Sequence, residues 1–244
     1  MIMAVLIASK KDKAALNIAK HLSNVYDIGE ESIKVEKLPE TGDLYIFLSK
    51  HKSESGKATL TAHFPGNFGN DNSYGGDAKT LAWSAPSWHK EFMKQLWKLK
   101  DKVKDFQIIT EPTHHGPTKF DKPIMFVEIG SSEKEWTNET AGKVVAEAVK
   151  KTIEAKPHYD KIAIAFGGGH YSQKLTDIIL KDEYAIGHIA AKHSADDLTE
   201  DVMDQMVDKS AEPVAYCLID WNGINQKQKI IEWAKHRGLE VVKV

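Results

Sequence analysis

MAVLIASKKDKAALNIAKHLSN, residues 3–24, opens with a short apolar run, crosses a polar turn, and then sets Ala15, Leu16, Ala19 and Leu22 at helical spacing. The first part reads as a buried strand over 3–8. The second reads as an amphipathic helix over 12–24, with Asp12 at the end where a negative charge suits the helix dipole. The same strand-then-helix order recurs along the chain. Strands are expected over 44–48, 59–63, 108–109, 125–129, 162–166, 185–189, 214–219 and 241–244, and helices over 79–100, 140–156, 173–181, 199–209 and 225–237. Gly238 stands where a left-handed cap would close the last helix before the final strand. This order predicts an α/β fold, a single domain over 1–244 with a mixed, mostly parallel sheet covered by helices.

Composition narrows the function. With 244 residues, 41% of them hydrophobic, the chain can bury one large core. A formal charge of −2 excludes a protein that grips nucleic acid by overall positive charge, so any RNA contact needs a local patch. Arg237 is the only arginine among 33 basic residues, which makes phosphate contacts a matter of lysine point charges. Cys217 is alone, so neither an internal disulfide nor a Cys-rich zinc finger is available, and a metal would sit on His and carboxylate. The N-terminal apolar run is too short for a membrane span, and no other stretch nears the required ~18 apolar residues. A cytoplasmic location is expected.

Residues of catalytic type gather at predicted strand ends, beside Gly and Pro. His63-Phe64-Pro65-Gly66-Asn67-Phe68-Gly69-Asn70-Asp71 takes a strand into a loop with a fixed backbone path. Glu111-Pro112-Thr113-His114-His115-Gly116-Pro117-Thr118 offers adjacent histidines beside a carboxylate; they serve one site only if the chain turns there. Glu128 lies inside an apolar strand and needs a metal, a base or several hydrogen bonds. Gly167-Gly168-Gly169-His170-Tyr171 lets backbone approach an anionic ligand, and His188 with His193 forms a weaker fifth segment. His21, His51, His89, His158 and His236 read as structural or surface residues, since none sits at an expected strand end among Gly and Pro. No Walker A, H-E-x-x-H, G-x-S-x-G or dinucleotide-binding fingerprint is present.

HFPGNFGND at His63 to Asp71, EPTHHGPT at Glu111 to Thr118, FVEIGSSEKEW at Phe126 to Trp136 and GGGHY at Gly167 to Tyr171 together resemble the archaeal and plant D-aminoacyl-tRNA deacylases. The resemblance runs over essentially the whole chain. It implies hydrolysis of the D-aminoacyl-tRNA ester, a zinc requirement, and a fold similar in part to peptidyl-tRNA hydrolase and purine nucleoside phosphorylase. After GGGHY this chain has Ser172-Gln173-Lys174 where proline or alanine is expected. On this reading Glu128, His63 and Glu111 are catalytic, and His114, His115, His170 and His188 are the metal ligands. Asn67, Asp71, Thr113, Gly168, Gly169 and Lys174 contact substrate. The tRNA acceptor end is the partner, lying along Lys90, Lys94, Lys98 and Lys174; a monomer without a stable protein partner is expected. The competing class is a metal-dependent small-molecule amidohydrolase or a nucleoside-phosphorylase-like enzyme.

Overall fold

The structure, a computed structural model, describes residues 3–54 and 56–244. Its elements in chain order are β1 (Ala4–Ser9), α1 (Lys13–Ala19), β2 (Val25–Ile28), β3 (Leu44–Lys52), β4 (Thr59–His63), β5 (Gly66–Asn67), β6 (Thr80–Leu81), α2 (Pro86–Lys98), β7 (Gln107–Thr110) and β8 (Ile124–Ser131). They continue with α3 (Glu133–Trp136), α4 (Glu139–Ala155), β9 (Lys161–Phe166), α5 (Gln173–Lys181), β10 (Tyr184–Ala190), α6 (Glu200–Asp208), β11 (Tyr216–Ile219), α7 (Lys227–His236) and β12 (Glu240–Lys243). The class is the expected α/β with mixed, mostly parallel pairing, and the strands divide between two principal sheets. One has the order β2-β1-β3-β8-β4-β7, parallel throughout except between β4 and β8. The other, β10-β9-β11-β12, is wholly parallel. Strands β5 and β6 make a short antiparallel pair.

Side-chain alternation explains how the two sheets share a core. On β3, Leu44, Ile46 and Leu48 join one large buried cluster with residues of α1, α2 and α4, whereas Tyr45 and Phe47 pack on the opposite face with Phe126. On β9, Ala163 and Ala165 enter that same large cluster, while Ile164 and Phe166 face α6 and α7. The helices between the sheets therefore touch strands of both, which fixes one sheet against the other.

Local chemistry sets the element ends. Asp12 caps α1 by accepting from Ala14 N and Ala15 N. The expected helix over 79–100 begins only at Pro86, which lacks an N–H and fits the first turn, and Thr80–Leu81 pairs as a strand instead. Helix α1 ends at Ala19, and Asn24, at φ 57°, turns the chain into β2, a strand the apolar pattern does not announce. Gly238, at φ 73°, ends α7 with Gly238 N donating to Lys235 O and Leu239 N donating to Ala234 O, the expected left-handed cap.

Lys90, expected on the RNA-facing surface, is instead buried in α2. Its ammonium donates to Ile179 O at 2.5 Å, Asp182 O at 2.8 Å and Tyr184 O at 3.0 Å, closing the carboxyl end of α5. Burial pulls its pKa down to about 8, which still leaves it charged at neutral pH. Lys94 turns to Tyr159, donating to its hydroxyl at 3.1 Å. Replacing Lys90 by Met leaves the carbonyls at the end of α5 without that donor. The variant should lose about 2–4 kcal/mol of unfolding free energy in urea titration; an unchanged midpoint would contradict this structural role.

Candidate active site

The pleat of three neighbouring strands sends polar groups to one place. Along β3 the face that carries Tyr45 and Phe47 continues with Ser49 and His51; along β8 it carries Ile124, Phe126 and Glu128. Ser49 and Thr61 flank Glu128 in register, and His63 lies opposite Phe126. Glu111 follows β7 directly, with its N–H donating to Ala62 O at 3.3 Å. The chain then turns at His115, at φ 49°, so that His114 and His115 face the same side. Both rings meet His63, His114 stacked at 4.1 Å and His115 edge-on at 4.8 Å. From the second sheet, Gly167 and Gly168, at φ 110° and 80°, turn the loop after β9 so that His170 completes the group.

Glu111 is the hub. Its oxygens lie 3.2 Å from His51 Nδ1, 3.5 Å from His114 Nε2, 3.4 Å from His170 Nε2 and 3.9 Å from His63 Nδ1. Those separations are within ion-pair range, yet neither oxygen has an aligned hydrogen bond, and His63 Nδ1 is likewise buried without one. Glu128 lies 3.6 Å from His51 Nδ1 and 3.8 Å from His63 Nδ1. His63 Nε2 faces His115 Nε2 at 3.1 Å, and Tyr171 Oη meets His51 Nε2 at 2.7 Å.

Protonation follows from these contacts. Burial lowers His114 to about 4 and His115 to about 3, and it places His63 well below the usual imidazole range. Burial also opposes charge on His51, but Glu111 and Glu128 outweigh it and hold that imidazole up to about 11. Glu111 resists the upward push of burial through His170 and His51 and ionises readily, whereas burial, aided by Glu111, raises Glu128.

A cation fits this arrangement. His114 Nδ1 donates to Pro112 O at 2.8 Å and His115 Nδ1 donates to Gly116 O at 2.6 Å, so in the neutral rings each Nε2 carries the lone pair. The His114 lone pair then confronts a carboxylate oxygen 3.5 Å away, a repulsive pairing unless a positive charge lies between them. Atoms that share a tetrahedral zinc stand roughly 3–4 Å apart. His51, Glu111, His114 and His170 form one set whose ligand atoms all lie within 4.8 Å of one another; His63, His114 and His115 form a second, and His63, Glu111 and Glu128 a third.

The structure thus gathers Glu111, Glu128, His63, His114, His115 and His170, and it adds His51, which the sequence reading sets aside. His51 has a signal in the alternation Tyr45, Phe47, Ser49, His51, but the strand was expected to stop at 48 and runs to Lys52. His188 is corrected. Its Nδ1 is engaged by Thr113 Oγ1 at 3.0 Å and its Nε2 by Ala82 O at 2.9 Å, so neither nitrogen is available to a metal. The Thr113 hydroxyl is taken by the same contact and by Ile189 N. Lys174 pairs with Asp220 at 2.6 Å, and the Asn67 amide donates to Gly75 O and Asp77 O. Asp71 accepts from Ser73 N, Gly168 abuts Ser172, and Gly169 has open space around its Cα.

Above the cluster opens a cavity of about 1170 Å³, lined among others by His51, His114, His115, Glu128, His170 and His193, with Asn67, Asp71 and Thr113 also on its wall. His63 and Glu111 lie buried beneath. The D-aminoacyl-tRNA deacylase family model matches residues 38–242.

The chain belongs to the D-aminoacyl-tRNA deacylase family. It is 40% identical to the D-aminoacyl-tRNA deacylase of Methanocaldococcus jannaschii, over 96% of this chain and 97% of that protein. It is 34% identical to the D-aminoacyl-tRNA deacylase of Thermoplasma volcanium, over 99% of this chain and 100% of the other. Among solved structures, a crystal structure titled as a conserved protein of unknown function matches with a TM-score of 0.93 at 30% identity, covering 99% of this chain and 95% of its own. This deacylase family groups hydrolases of the aminoacyl-tRNA ester. Among the described residues no helix is long and apolar enough to cross a membrane.

His188 supplies a test of its structural role. Burial first, then nearby Lys209, leaves its folded pKa at about 4, against about 6.5 unfolded. Between those values the unfolded chain binds more protons, so stability is full above pH 6.5 and falls as the pH drops toward 4. His188→Gln should flatten the pH dependence of the urea-unfolding free energy across this window by up to about 1.4 kcal/mol per pH unit. A slope equal to that of the unsubstituted protein would show that the ring titrates freely.

Proposed function

We propose that the chain hydrolyses the ester of D-aminoacyl-tRNA to free D-amino acid and tRNA, with zinc held by the histidine and glutamate cluster. The observation that carries the reading is the ring of imidazoles around the unbonded Glu111 carboxylate, on the floor of a large cavity in a chain of this family. His51, Glu111, His114 and His170 are the assigned ligands, with His115 and His63 adjoining. Zinc there would polarise the ester carbonyl and lower the pKa of the attacking water.

The protein's own groups carry the proton. Glu128 Oε2 takes it from the attacking water as the new carbon–oxygen bond forms. It returns the proton to the ribose oxygen as the acyl–oxygen bond breaks. Its raised proton affinity is the right direction for a group that both accepts and donates. His63, stacked on His114 and Phe126, packs against Glu128 with its Nδ1 3.8 Å from that carboxyl. Tyr171 steadies His51. The cavity accommodates the terminal nucleoside with its aminoacyl group, so that a base and an acyl side chain are enclosed together.

The deciding assay is release of D-tyrosine and of L-tyrosine from their charged tRNAs, with chelator and with zinc restored. Release of D-tyrosine alone, lost on chelation and recovered with zinc, is expected; release of neither amino acid would refute the reading. Glu128→Gln should lower kcat by about 10²–10⁴-fold while keeping bound zinc, and zinc loss in that variant would make Glu128 a ligand instead. Glu111→Gln and His114→Ala should lose zinc and activity together, as read by metal analysis and the same assay.

A further inference from the structure

We propose that Lys11, Lys50 and Lys52 hold the phosphates of the nucleotides that precede the esterified end, so that RNA enters over the lip formed by β1 and β3. The assignment rests on the deacylase reading above and adds the route by which a chain of net charge −2 holds a polyanion. All three lysines are exposed and lie among the residues that bound the cavity.

The pleat of β3 separates two tasks. His51 points into the cluster, so Lys50 and Lys52 lie on the opposite face of the strand, at the lip, about 7 Å apart along it. That spacing is on the scale of neighbouring phosphates. Asp12 brings Lys11 to the same place: while capping α1, its carboxylate accepts from Lys50 N at 2.9 Å and so ties the turn after β1 to the end of β3. The parallel register of Ala4 with Leu44 through Ala8 with Leu48 brings the two strand ends level.

Charge pairing supports the same reading. Several surface lysines elsewhere meet carboxylates, as in Lys13 with Glu133, Lys102 with Glu147 and Lys161 with Glu183. Among the described residues Lys11 and Lys52 have no ion pair, and the Lys50 ammonium lies over the Trp136 ring at 5.5 Å. On this side of the cavity the carboxylates are Asp12, Glu31 and Glu54; Asp12 is engaged by the α1 N-terminus and Lys50 N, and Glu31 pairs with Lys34 at 3.5 Å. Asp71 and Asp197 line the segments that follow β5 and β10, where a phosphate would be repelled. Clustered lysines whose ammonium groups make no ion pair repel one another, and a phosphodiester is an anion that can bridge them.

The test uses the full-length, zinc-loaded protein and uncharged tRNA. Binding is measured from low to moderate salt for the unsubstituted protein and for Lys11→Gln/Lys50→Gln/Lys52→Gln. A control, Lys104→Gln/Lys150→Gln/Lys235→Gln, removes the same charge from exposed positions outside the cavity. The lip variant should bind tRNA at least about tenfold more weakly, with the slope of log K against log salt reduced by about 2, since each single-strand phosphate contact contributes about 0.7. The control should keep the original slope. Urea unfolding of both variants confirms that fold is retained. An unchanged slope in the lip variant, or an equal reduction in the control, overturns the assignment. D-Tyrosine release by the unsubstituted protein is measured alongside: absence of release condemns the deacylase reading, whereas intact release with an unchanged slope condemns the lip alone.

Discussion

Everything at the site depends on the carboxylate of Glu111, buried without an aligned hydrogen bond among four imidazoles. Removing an ionised carboxylate from water costs several kcal/mol, and only nearby positive charge offsets that. His51 supplies it as an imidazolium, its second nitrogen held by Tyr171. A metal would take the place of that proton, because ligating imidazoles must be neutral. The same geometry therefore serves a protonated and a metallated cluster.

That requirement ties distant parts of the chain together. His51 comes from β3, His63 from β4, Glu111 and His114 from the loop after β7, and His170 from a loop of the second sheet. The helices between the sheets set the spacing, and the glycine loop makes the last approach. A side chain at Gly167 would strike Asp220, and one at Gly223 would strike the backbone of Gly168, so the two loops fit only as glycine. Lys174, bound to Asp220, is part of this support.

Two carboxylates a few ångströms from the same histidines end up unlike. Glu111, reached by His170 and His51, ionises easily; Glu128, deeper in the strand and beside Glu111, holds its proton more firmly. Environments that push paired groups apart give two carboxyls of one site different protonation behaviour. The neutral state of His114 and His115 has a similar origin, since burial keeps them uncharged and the carbonyls of Pro112 and Gly116 select the tautomer that leaves Nε2 bare.

Periodicity and capping chemistry determined much of this protein from the sequence alone. The strand over 59–63 and the helix over 173–181 fall where their patterns place them, and Gly238 closes α7 as a glycine at that position should. The motif segments did mark six members of the cluster, because Gly and Pro beside His and Glu record the special backbone such a site needs. Tertiary structure decided the rest. It carried β3 onward to His51, enclosed His188 between Thr113 and Ala82, buried Lys90 under α5, and split the strands between two sheets. Those outcomes depend on contacts between residues far apart in the chain. A local pattern records how a side chain alternates along its own strand, but not which neighbour will satisfy its nitrogen or its charge.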